Sequence, residues 1–212
     1  MKLQIPNSKI RNAERGQGLL EMIVAIGIIT TGVLGTLTLV SATIVATGES
    51  EGRLVAGNLA REAVEVVRNI RDSNWLAGKN WEEGLVGLAG DRSAAAFFGP
   101  ATASWTLDFS PNGFGSAATL VYRLNSPPFE DVFVQSAISP GGASLTPYER
   151  LIFLYPICRD EPTNSETVVA ADPAACPPPF MEVGLDVRAE VRWRVKGGIR
   201  SVIAEEKIYD WR

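Results

Sequence analysis

Few side chains in this sequence could do chemistry, and one is set apart by its surroundings. Glu21 opens a run, Met22 to Gly48, that contains no charged residue. An ionised carboxylate at the edge of such a run needs a nearby cation or a path to water. Glu21 is therefore a candidate for ion pairing, with snorkelling to lipid headgroups as the simpler alternative. The chain has no His, which removes the usual general base, the Ser-His-Asp arrangement, His-bearing metal sites and a switch near neutral pH. Asp160, Glu161 and Asp172 could act as acids or bases, but their spacing defines no site and a solvated acidic loop accounts for them. No catalysis, cofactor or metal ion is expected. Cys158 and Cys176 bracket the segment RDEPTNSETVVAADPAA, which is unlikely to order itself. Two thiols are too few for a structural metal site, so in an extracytoplasmic domain they favour a disulfide over two free buried thiols. Closing a loop of about 18 residues would contribute on the order of 3 kcal/mol.

A helix must carry Glu21. At about 1.5 Å per residue the uncharged run makes roughly 40 Å of α-helix, enough to cross a hydrocarbon core of about 30 Å with tilt. A secretory signal has an apolar core of only about 7 to 15 residues, and a lipoprotein would need a Cys at the end of the run, where none stands. Ahead of the run lie Lys2, Lys9, Arg11 and Arg15 against Glu14. The positive-inside rule then holds the N-terminus in the cytoplasm and puts everything after Gly48 outside, in a single-pass membrane protein.

The segment Gly16-Gln17-Gly18-Leu19-Leu20-Glu21, behind a short basic leader and ahead of an apolar helix, resembles the cleavage and methylation signature of type IV prepilins and pseudopilins. Gly16 and Glu21 match the signature well; position 17 is Gln where the family more often has Phe or Met, and position 18 is Gly where Thr is more common. The resemblance implies that prepilin peptidase cuts after Gly16 and N-methylates Gln17. It also implies a cation for Glu21: the new α-amine of Gln17 on one subunit would face Glu21 of its neighbour, cancelling two charges that are each costly in an apolar bundle. Glu21 would then set subunit register. Gly27, Gly32 and Gly35 would allow close helix approach or local unwinding, or serve as ordinary small packing residues. The proline that many major pilins carry in mid-segment is absent.

After the membrane, Val55, Leu59, Ala63, Val66 and Ile70 recur every three or four residues, while Arg61, Glu62, Glu65, Arg68 and Arg71 occupy the remaining face. This predicts an amphipathic continuation of the helix to about Ser73, with Glu65–Arg68 and Arg61–Glu65 surface pairs. Gly48, Gly52 and Gly57 each cost on the order of 1 kcal/mol relative to Ala, which predicts a bend or partial melting at the join. The stretch NLAREAVEVVRNIRDSNW is similar to the second half of the helix in minor subunits related to type II secretion pseudopilins. Residues 75–100 read as a loop region pinned by Trp75, Trp81, Leu85 and Leu88. Strands are expected at Thr102 to Phe109, Ala118 to Leu124, Phe129 to Ile138 and Leu151 to Ile157, the last ended by Pro156 or placed on an edge by it. The turns between the first three are Pro111-Asn112-Gly113 and Ser126-Pro127-Pro128. Val183, Leu185, Val187, Ala189, Val191, Trp193 and Val195 alternate with Asp186, Arg188, Glu190, Arg192 and Arg194. Gly197-Gly198 then turns a hairpin into the return strand Ile199 to Trp211. Its aromatic Tyr209 and Trp211 resemble the C-termini of the same minor pilins.

The expected architecture is α+β: a long N-terminal helix, membrane half then amphipathic half, packed on an antiparallel sheet, as in pilins. Its parts are a leader (1–16), an assembly helix (17–48), an amphipathic half (49–74) and an extracytoplasmic β-rich domain (75–212). With 212 residues and a net charge of −4, there is room for one soluble domain and no basic footprint for nucleic acid. The resemblance implies a minor type IV pilin or pseudopilin whose partners are the peptidase, other pilin subunits, an inner-membrane assembly platform driven by a cytoplasmic ATPase, and lipid. The alternative is a membrane-anchored extracytoplasmic domain that binds a ligand, with the Cys158 to Cys176 loop as its recognition element, and does not assemble.

Overall fold

A computed structural model describes residues 8–99, 102, 104–111, 113–127, 129–195 and 197–210, with side chains from Gly18 onward. The first seven leader residues, Asn112 and Pro128 of the expected turns, and Trp211 lie outside the described residues. The chain divides into two compact units, Met1–Ser50 and Glu51–Arg212. Helix α1, Ser8–Leu76, contributes to both and is unbroken through Gly48, Gly52 and Gly57. Melting expected at these glycines does not occur. At Gly52 the reason is packing: an added Cβ would lie 3.0 Å from Trp193 Nε1, so glycine lets an indole sit against the helix backbone.

From Glu51 on, the apolar stripe meets a sheet. Leu59, Ala63 and Val66 are buried as expected, joined by Ala56, Ala60, Val64 and Val67. Glu65 pairs with Arg68 at 2.6 Å, whereas Arg61 enters no ion pair among the described residues. Arg71 is buried rather than solvated, its guanidinium 4.5 Å above the Trp75 ring.

The strands are β1 (Ser93–Gly99), β2 (Ser104–Asp108), β3 (Leu120–Leu124), β4 (Phe133–Gln135), β5 (Ala143–Asp160), β6 (Ser165–Val168), β7 (Met181–Val195) and β8 (Gly198–Tyr209). Every pairing is antiparallel. Together they form an eight-stranded sheet on which the long helix packs, an α+β architecture. Strand β5 is its spine: β7 lies along one edge, and β3, β1 and β6 take successive stretches of the other.

Several expected boundaries are corrected by this spine. Pro156 neither ends β5 nor sits on an edge; it faces Leu185 of β7, and its carbonyl accepts from Val169 N at 3.0 Å on the other side. N and C=O of one strand residue point the same way, so the missing N–H falls between the β1 and β6 ladders and costs no bond. Pro147 likewise occupies the register shift between β3 and β5, where the Thr146 hydroxyl bonds Val121 O at 2.6 Å. The expected strand Phe129 to Ile138 shrinks to β4 because Phe129–Val132 is a turn with Asp131 at φ 66°. The supposed loop 75–100 contains the end of α1 and all of β1. There Trp81 and Leu85 are buried anchors, but Leu88 is fully exposed. The segment between the cysteines is also ordered, with β6 pairing Ser165–Val168 onto the end of β5.

The final hairpin follows its alternation, with Gly197 at φ 105° and Gly198 at φ 147°. Leu185, Val187, Ala189, Val191 and Trp193 join the helix stripe in the core. Asp186, on the opposite face, is buried instead of solvated, with Arg188 at 2.9 Å. Two substitutions test the helix seat. Gly52→Ala drives a methyl against Trp193 and is expected to cost about 1–3 kcal/mol. Gly57→Ala, where nothing lies within 4 Å, is expected to gain up to about 1 kcal/mol from helix propensity. Urea unfolding midpoints should therefore move in opposite directions.

Candidate functional site

In the first unit, every described residue from Gly18 to Gly48 is exposed. The large apolar side chains from Leu19 to Val45 are 52% to 70% exposed. The helix is long and apolar enough to cross a membrane. Its hydroxyls are satisfied internally: Thr31 donates to Gly27 O at 3.0 Å, Thr43 to Leu39 O at 2.9 Å and Thr47 to Thr43 O at 2.9 Å. Back-bonding of this kind lets hydroxyls enter lipid without an unmet donor. Glu21 is then the one charged side chain from Gly18 to Gly48, exposed and without an ion-pair partner among the described residues. Gly16 and Gln17 lie within α1 one turn earlier, in the stretch whose side chains are outside the described set. An added Cβ at Gly27, Gly32 or Gly35 would meet nothing within 4 Å among the described residues.

The second unit contains a buried polar cluster that sequence reasoning missed. Tyr148, Arg150, Ile152 and Leu154 alternate toward the helix, and Arg150 is only 2% exposed. Its Nη1 donates to Leu59 O at 3.2 Å and lies 3.3 Å from Glu62 Oε2, and its Nε donates to Gln135 Oε1 at 2.9 Å. Gln135 returns its amide to Ala118 O and Arg150 O at 2.9 and 2.6 Å. Burial pulls the Arg150 pKa below its ordinary value, opposed by Glu62. Nearby, burial and then the Glu51 carboxylate raise the Tyr148 phenol. This cluster locks helix to sheet. Reading β5 back to Ala143 would have exposed an arginine in an inward register position, but Pro147 concealed that strand.

Cys158 and Cys176 are joined in a disulfide with Cα atoms 5.5 Å apart. The enclosed segment clasps the start of β1: Asp172 accepts from Arg92 N at 2.7 Å and from the Ser93 hydroxyl. Ala174 O accepts from Arg92 Nε at 2.9 Å, and Arg92 pairs with Glu182 at 3.1 Å. Asp160 bonds Thr163 at 2.5 Å and Glu161 is an exposed turn residue, so the three carboxylates considered above are not brought together. Among the described residues no His, Cys, Asp and Glu group could hold a metal ion. Replacing both cysteines with alanine is expected to lower stability by on the order of 3 kcal/mol. Thiol titration of the native protein should find no reactive group; two reactive thiols without reductant would refute the bridge.

A separate cleft of about 590 Å³ opens between the β1–β2 and β3–β4 hairpins, lined mainly by Phe97, Phe98, Trp105, Leu124, Phe129, Val132 and Val134. Its polar linings, Gln135 and Ser136, are engaged within the domain.

Compared with known proteins, the chain matches no family model, no curated protein and no solved structure.

Proposed function

We propose that this chain is a minor type IV pilin or pseudopilin, a structural subunit held in the inner membrane with its N-terminus cytoplasmic and its sheet domain outside. Prepilin peptidase cleaves after Gly16 and methylates Gln17. An assembly platform then passes the subunit into a filament, where its helix packs among those of neighbouring subunits. The observation that carries this reading is the solitary carboxylate of Glu21 in the otherwise uncharged stretch Gly18 to Gly48 of α1, whose large apolar side chains are exposed. Such a surface needs lipid or other helices, and such a charge needs a cation. The uncovered glycines support it, since small residues permit close helix approach.

Mass spectrometry of the mature chain tests the proposal. The expected N-terminus is Gln17 bearing one added methyl group, and an intact Met1 in cells that contain the peptidase would refute it. A second reading, a membrane-anchored ligand-binding domain that never assembles, is favoured by the apolar cleft of the sheet domain rather than by the disulfide loop. That reading predicts a retained leader.

A further inference from the structure

The sheet ends on one long edge. Strand β8 runs for 12 residues, pairs with β7 alone and keeps a single register throughout. The other strands that border the sheet are short, with 5 residues in β2, 3 in β4 and 4 in β6. N–H and C=O of one strand residue point the same way, and successive residues alternate between the two edges. Asp210 N donates to Val183 O at 3.0 Å, which fixes the phase: the even-numbered residues of β8 bond β7. Ile199, Ser201, Ile203, Glu205 and Lys207 therefore turn their backbone groups outward, where no strand pairs with them among the described residues.

Sheets guard such edges with prolines, bulges, charges or a covering element. Glu205, Glu206 and Lys207 guard the second half of β8. The first half, Ile199 to Ala204, has no proline and no bulge, and its single charge, Arg200, is already engaged within the protein. Ile199 and Ile203 are 61% and 57% exposed. Beside this half lies a groove of about 340 Å³ between α1 and β8, with Gly57, Arg61 and Val64 on the helix side. Its acids are already paired, Glu65 and Glu206 with Arg68 and Glu205 with Arg188. Arg61 is exposed and has no carboxylate partner among the described residues, and the same holds for Arg53, two turns earlier in the same row of α1. The contact of Gly52 with Trp193, which pairs with Arg200, sets this row beside the start of β8. Between the two arginines an added Cβ at Gly57 would meet nothing within 4 Å. Eight helical residues span about 12 Å, close to the length of about four residues of extended chain. Side chains four apart in a strand share one face.

We propose that the β8 edge takes up an added strand from another polypeptide, an extended acidic segment whose backbone pairs with Ser201 and Ile203. Two acids four residues apart meet Arg53 and Arg61, and the side chain midway between them fills the space over Gly57. The opposite face of the segment sets apolar side chains against Ile199 and Ile203. This contact belongs to the second unit alone, so its failure leaves the proposed role of Glu21 untouched.

The test uses the full chain in detergent, disulfide intact, with a fluorescent nine-residue peptide as probe. Glutamates at its third and seventh positions flank a valine at the fifth, and isoleucine and threonine fill the rest. Fluorescence anisotropy should show saturable binding to the wild-type chain. Arg61→Glu should weaken it by about fivefold or more, and so should lysines in place of the peptide's glutamates. Ser201→Pro removes an outward N–H that β7 does not use. It should abolish binding while circular dichroism and the thermal midpoint stay with wild type. Absence of saturable binding overturns the proposal, as does equal binding by Arg61→Glu or by the lysine peptide. Binding that survives Ser201→Pro puts the peptide elsewhere and overturns it too. If sedimentation finds the wild-type chain paired with itself and Ser201→Pro single, the edge belongs to a second copy and the acidic partner is withdrawn.

Discussion

Glu21→Ala is expected to abolish incorporation of this subunit into filaments while leaving its insertion into the membrane intact. If the mature amine of Gln17 on one copy meets Glu21 on its neighbour, removing the carboxylate strands a cation inside an apolar helix bundle. Deleting one partner of a buried pair costs about 3–5 kcal/mol. At about 1.4 kcal/mol per factor of ten, that is roughly a hundredfold to several thousandfold in each subunit contact. Insertion should not suffer, because losing a charge at the lipid edge makes the segment more apolar. The measurement is the ratio of the chain in sheared filaments to that in membranes, for Glu21→Ala and Glu21→Asp. The shorter acid keeps the charge and should retain part of the incorporation. Equal filament content for wild type and Glu21→Ala would remove the proposed role of this carboxylate.

The second large effect is expected at Arg150. Arg150→Ala leaves Leu59 O and the Gln135 amide oxygen facing an apolar gap between helix and sheet. It should destabilise the second unit by about 3–5 kcal/mol, lowering the thermal midpoint by on the order of 10 °C. Most of this comes from the stranded Gln135 oxygen and the cavity, since Leu59 O keeps its bond within the helix. The ion pair contributes less, since the Glu62 side chain is 38% exposed and partly screened. Arg150→Met, which fills the volume and removes the buried charge, should therefore cost clearly less, and Glu62→Gln less again. Thermal unfolding of the three full-length variants in one detergent checks the order. Arg150→Ala unfolding with wild type would mean that the buried guanidinium is not what holds helix to sheet.

The contrast between these two residues bears on what could be read without coordinates. Glu21 is conspicuous because its significance is local: one acid at the margin of a long uncharged run. Arg150 is invisible for the opposite reason. Its strand contains Pro147 and Pro156, and only the arrangement of β3, β1 and β6 along one edge of β5 shows that neither proline is asked for a bond. Strand β1 was hidden differently. Its buried Ala94, Ala95 and Ala96 have low strand propensity and no alternation, because both sides of the strand are covered by other parts of the fold. Likewise β6 pairs with a β5 that extends to Asp160, beyond the strand expected from composition.

By itself, then, the amino-acid sequence determined the membrane-length helix, the apolar stripe that follows it, the final hairpin and the cysteine pair. These depend on periodicity, turn residues and composition within one stretch of chain. Only the tertiary structure decided the eight-stranded order, the seat of Trp193 on Gly52, the buried Arg150 cluster, the Arg92 clasp and the burial of Asp186. Each of those joins residues far apart along the chain, and whether a polar group is solvated, paired or stranded depends on what lies across from it.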